Sequence, residues 1–126
     1  IMAGKIVADT LEHSTAGSIA TNFVVNGSAK GWSRIPDTHD SLTDSFNASS
    51  ISDGGTGQAT ISLTSSMSDA NYCGTTAGGH IGSGDTTKKT YVKDMTSSTY
   101  IVFAGLTTSN SNQDYGGSYS IMGDLA

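Results

Sequence analysis

Between Pro36 and Asp44 the chain reads PDTHDSLTD, which places Asp37, His39, Asp40 and Asp44, three carboxylates and an imidazole, within eight residues. A hard cation such as Ca²⁺ takes about six to eight oxygen ligands, and a loop supplies carboxylates and carbonyls for them. The EF-hand order Asp-x-Asp-x-Asp-Gly is absent. A solvated linker is therefore the reading adopted and no metal site is assigned; a Ca²⁺ site near Asp37, Asp40 and Asp44 stays open as the alternative. His39 has no second His or Cys at ligand spacing, which argues against zinc.

Two glycine-rich stretches raise the question of phosphate binding. In SISDGGTGQATISL (residues 50–63) the glycines at 54, 55 and 57 precede Gln58 and an alternating run. A phosphate loop needs a helix after it and, in the Walker form, a Lys-Ser/Thr pair. Asp-Gly-Gly between two extended runs reads instead as a hairpin turn. AGGHIGSGD (77–85) has the wrong glycine order for a dinucleotide fingerprint and strands on either side, so it reads as a surface loop carrying His80.

Nucleophilic chemistry finds no framework. The chain has 20 Ser and 17 Thr but no Gly-x-Ser-x-Gly elbow; with a single Glu, Glu12, and its Asp residues in apparent turns, no carboxylate pair is expected to face across a cleft. Cys73 is the only cysteine, so neither an intrachain disulfide nor a Cys-based zinc site forms, and it reads as a small buried hydrophobe. No catalytic residue and no cofactor are assigned, and an enzyme is not expected. Among the aromatics, Trp32 reads as core packing or a contact between copies. Tyr115, beside Gly116 and Gly117 in a polar loop, is the ring expected at the surface; with His80 it is the candidate contact for a surface ligand.

These residues need elements to position them, and composition says which kind. At 126 residues the chain is one domain by length, and only 13% of it is charged. Small hydroxyl residues with few charges suit strands with a hydroxylated outer face better than amphipathic helices. QATISLT alternates Ala59, Ile61 and Leu63 against Thr60, Ser62 and Thr64, the period of a half-buried strand. DSFNASSIS is extended but changes phase between Ala48 and Ile51, a sign of a bulge or an early strand end. Further strands are expected through Tyr72-Cys73, over KTYVKDM, over the apolar run Tyr100 to Ala104 and over SYSIMGDL. Evenly spaced strands with Gly/Ser/Asn turns predict an all-β protein, an antiparallel, jelly-roll-like β-sandwich over residues 31–126. Residues 1–30 are expected to form an extended N-terminal clasp, with short strands at Lys5 to Ala8 and Asn22 to Val25, or a helix from Val7 to His13. SRIPDTHDSLT is read as a linker.

The formal charge of −5 argues against nucleic acid. No apolar run approaches the roughly 20 residues of a membrane span, so no membrane insertion is expected. IMAGKIVADTLEH lacks the apolar core of a secretory signal.

Three strings together, NGSAKGW, DSFNASSISDGGTGQATISLTSSMSDANYC and the ending SIMGDLA, resemble a domain of tail-fibre and tail-tip proteins of bacteriophages, marine phages especially. The resemblance covers about Gly4 to Asn71 and the last few residues. It implies a structural virion protein, β-rich and commonly homotrimeric, located on the phage tail or an appendage. Its partners would be its own copies, other virion structural proteins and a host-surface glycan or protein, with attachment as the role. The longer SRIPDTHDSLT segment and the two Gly/Ser/Asn loops depart from the family form. His13, His39 and His80 are too far apart for the His-x-His motif by which some phage trimers hold iron. Two alternatives stay open: a secreted carbohydrate-binding module, and a capsid or horn decoration without a receptor role.

Overall fold

The computed structural model describes residues 4, 6–78, 90–104 and 112–126. Among the described residues, ten strands and one short helix occur in chain order: β1 (Thr10–His13), β2 (Gly17–Ala20), α1 (Thr21–Gly27), β3 (Ala29–Ile35), β4 (Asp44–Phe46), β5 (Ala48–Asp53), β6 (Gln58–Leu63), β7 (Cys73–Gly78), β8 (Thr90–Lys93), β9 (Thr99–Ala104) and β10 (Gly117–Met122). Two four-stranded antiparallel sheets, ordered β4-β3-β10-β7 and β5-β6-β9-β8, form the sandwich. In the second sheet β9 lies between β6 and β8; in the first, β10 lies between β3 and β7. The all-β, antiparallel sandwich expected from the strand pattern is thus the architecture found.

The core sits between the sheets. Ile35, Tyr119 and Ile121 of the first meet Ala59, Ile61, Leu63, Tyr100 and Val102 of the second. The alternation of QATISL appears directly as burial of every second residue of β6. The first sheet contributes many small inward residues, which lets large ones approach from the opposite layer. A Cβ added at Gly74 would lie 2.7 Å from the Cβ of Val92, so glycine is required where β7 and β8 come together. The phase change in DSFNASSIS is where the chain leaves one sheet for the other. Asn47, at φ 57, turns the corner from β4 to β5, and a bulge follows between Ala48 and Ser50.

The 54–57 stretch is a hairpin turn as expected: Gly55 and Gly57 take φ of 100 and 79, and β5 pairs with β6 on either side of it. Other expectations are corrected. SRI belongs to β3 rather than to a linker, and the boundary expected at residue 30 falls inside that strand. Asn22 to Val25 is helical: β1 has already paired with β2, leaving this segment no strand to join. His13 belongs to a hairpin and not to a helix, and Ile6 to Ala8 lie outside any strand; Lys5 lies outside the described residues. Cys73 is exposed, because it opens edge strand β7 in the outward phase it shares with Thr75.

Candidate functional site

The outer face of the first sheet follows from register. Trp32 stands opposite Phe46 on one side and Ser120 on the other, and Ser120 is opposite Thr75. The next outward row runs Asp44, Arg34, Ser118, Ala77. Trp32 therefore faces solvent, 39% exposed, which corrects the expectation of core packing. Trp32, Arg34, Asp44, Thr75, Ser118 and Ser120 line a groove of about 670 Å³, within the usual size of small-ligand pockets. The Thr75 and Ser120 hydroxyls are 2.6 Å apart across β7 and β10. Asp44 Oδ1 accepts the Ser45 amide at 2.9 Å. The Arg34 guanidinium has no hydrogen bond or ion pair to another described residue.

The residues singled out by chemistry go elsewhere. His39 is completely buried, at φ 55, and its Nε2 lies 2.8 Å from the Tyr115 carbonyl. A carbonyl only accepts, so Nε2 carries a hydrogen; the other ring nitrogen is Nδ1. That nitrogen is buried without a hydrogen bond, 3.7 Å from Asp114 Oδ1. Asp114 accepts the Gly57 amide at 2.5 Å, and Asp37 accepts the Gly116 amide at 2.6 Å. Three loops, 36–42, 54–57 and 112–116, are thereby latched together at one end of the sandwich.

The latch is a set of loop-to-loop hydrogen bonds through His39, Asp37 and Asp114. It also disperses the carboxylates of PDTHDSLTD. Asp37 turns to Gly116, Asp40 bonds Thr38 and Ser41, and Asp44 lies on β4 facing the groove. The two hydroxyls hold the Asp40 carboxyl below the usual carboxylate range. Among the described residues no three His, Cys, Asp or Glu side chains gather to hold a metal. Tyr115 is half-buried and its hydroxyl bonds Gln113; His80 lies outside the described residues.

The N-terminal segment is the second exposed feature. Residues 6–27 include no buried residue, and Ile6, Val7, Leu11, Ile19, Phe23, Val24 and Val25 are exposed, Ile6 at 90% and Phe23 at 66%. The seven-residue α1 has no side-chain N-cap and is far below the length at which an isolated helix is stable. It is tied back by Thr21, whose amide and hydroxyl donate to Asp9 and Ala8 carbonyls at 2.9 and 2.6 Å. No helix among the described residues is long and apolar enough to cross a membrane.

Arg34, Ser118 and Ser120 were not singled out by sequence. GWSRI would have shown Trp32 and Arg34 sharing a face had it been read as a strand. Comparison of the chain with family models, with curated proteins and with solved structures gives no match.

Proposed function

We propose that this chain is a structural domain of a phage tail fibre or appendage, assembled as a homotrimer and contributing to host-surface attachment. One observation carries the assembly: a 22-residue N-terminal segment, 6–27, that buries nothing on its own chain while exposing seven apolar side chains. Burying a Val, Leu, Ile or Phe side chain contributes about 1.5–3 kcal/mol, and association costs about 4–15 kcal/mol. Seven such side chains per subunit, 41–90% exposed, offer a favourable contribution of the same order as that cost when other copies cover them. A segment with this many exposed apolar side chains is a candidate interaction surface, and closed symmetry is the usual outcome for identical chains. The resemblance of NGSAKGW and of the 44–73 stretch to phage tail-fibre domains supports the virion setting, as does the hydroxyl-rich, charge-poor composition.

Light scattering on a size-exclusion column tests the assembly. The expected mass is three times 12.9 kDa, falling to the monomer when Phe23 and Val25 are both replaced by Asp. A 12.9 kDa monomer across the accessible concentration range would sink the trimer. Binding of the fluorescently labelled trimer to bacterial cells then tests attachment; a trimer that labels no strain of a broad panel would count against it.

A further inference from the structure

We infer that the outer face of the first sheet, centred on Trp32 and Arg34, is a binding groove for a neutral saccharide. The inference rests on the attachment reading for its setting, and on separate residues for its chemistry.

Trp32 is the sole tryptophan of the chain and stays 39% exposed on a central strand. An exposed indole face offers a flat apolar platform of the kind that packs on the C–H face of a pyranose. Around it stand groups that a polyol satisfies. Arg34 presents unpaired donors; Asp44, directly opposite in register, presents a carboxylate oxygen beyond the one that accepts Ser45. Ser118, Ser120 and Thr75 add hydroxyls that both donate and accept.

The charges decide which saccharide. One guanidinium and one carboxylate cancel, so the groove makes directional hydrogen bonds without a net field to attract an ion. An acidic sugar meets Asp44 as well as Arg34, in a chain whose formal charge is already −5. A neutral hexose supplies hydroxyls to both. The side chains named stand on β3, β4, β7 and β10, strands of one hydrogen-bonded sheet. The sheet therefore fixes the spacing of their backbones along one face.

Because Trp32 is the only tryptophan, intrinsic fluorescence reports on the groove directly. The full chain is titrated with neutral oligosaccharides built on glucose, galactose, mannose and N-acetylhexosamines, and with uronic- and sialic-acid oligosaccharides, by fluorescence and calorimetry. A saturable change with at least one neutral oligosaccharide is expected. Trp32→Ala and Arg34→Ala should each weaken binding, followed by calorimetry, by at least about tenfold. Ser118→Tyr fills the groove from an exposed position and should abolish binding with the core untouched.

Solution mass is measured on the same samples. No saturable response to any neutral sugar, or binding confined to the acidic ones, overturns the inference. So does loss of the trimer in Trp32→Ala, since a second copy would then occupy this face. A trimer without saccharide binding sinks the groove and leaves the assembly standing. A monomer that binds the sugar does the reverse.

Discussion

The hydroxyl of Ser33 on β3 meets that of Tyr100 on β9 at 3.0 Å, joining the two sheets through the middle of the core. Both residues are buried, Ser33 at 1% and Tyr100 at 0% exposure. The small inward residue of one sheet makes room for the large one of the other, and the bond satisfies a phenol that water cannot reach. Ser33→Ala leaves that phenol without its partner and should cost about 1–3 kcal/mol. In the Tyr100→Phe background the same change should cost much less. Urea unfolding of the four proteins of this cycle measures the coupling; strictly additive effects would show that the contact contributes nothing.

The corner at Asn47 makes a second prediction. Its side-chain amide donates to the carbonyls of Lys30 and Ser65 at 2.9 and 3.1 Å and accepts the Ser65 amide at 2.6 Å, while the backbone takes φ 57. Asn tolerates that left-handed conformation, Gly adopts it freely and Ala pays about 1–2 kcal/mol for it. Asn47→Gly should therefore lose about 2–3 kcal/mol through its hydrogen bonds alone, and Asn47→Ala about 1 kcal/mol more. Equal loss in both variants would remove the backbone part of the account.

The second sheet was legible because its strands obey the simplest rule. β6 alternates apolar inward and hydroxyl outward, and β9 carries Tyr100 and Val102 into the core. β3 inverts that rule. In GWSRI the inward residues at 31 and 33 are Gly and Ser, while Trp32 and Arg34 face solvent. Its hydropathy therefore gave no strand signal, and the groove face was lost with the strand. The latch was illegible for another reason: Asp114 and Gly57 lie 57 positions apart, a pairing set by topology rather than by local pattern. The His-Asp cluster at 37–44 drew attention as a cation site, whereas its His39 and Asp37 serve to hold loops.

That latch can be tested loop by loop. Asp114→Ala frees the Gly57 amide, so hydrogen exchange at Gly57 should accelerate at least about tenfold, with a stability loss of about 1–2 kcal/mol. His39→Ala removes a buried ring as well as its bond to Tyr115 and should cost about 2–4 kcal/mol. Unchanged exchange at Gly57 in Asp114→Ala would show that the turn holds itself and that the contact is incidental.

Three buried phenols set the alkaline limit of the fold. Burial, with a smaller contribution from the nearby Tyr100 phenol, pushes Tyr72 up to about 12. The same two causes push Tyr119 up further, and burial raises Tyr100 despite its bond to Ser33. Tyr72 illustrates why the neutral form is preferred, its hydroxyl lying 3.0 and 2.9 Å from the Thr96 and Thr99 carbonyls, which accept only a protonated phenol. In the unfolded chain these groups ionise near about 10, so above that pH the unfolded state binds fewer protons than the folded one. The sign follows: their contribution is complete below pH about 10 and is lost as pH rises through the folded values. Spectrophotometric titration at about 295 nm, run beside near-ultraviolet circular dichroism, should show the absorbance of these three residues rising only together with loss of tertiary structure. Reversible ionisation of all five tyrosines near pH 10 with the dichroism intact would mean that the phenols reach water in the folded protein, and that the core between Ser33 and Tyr100 is open.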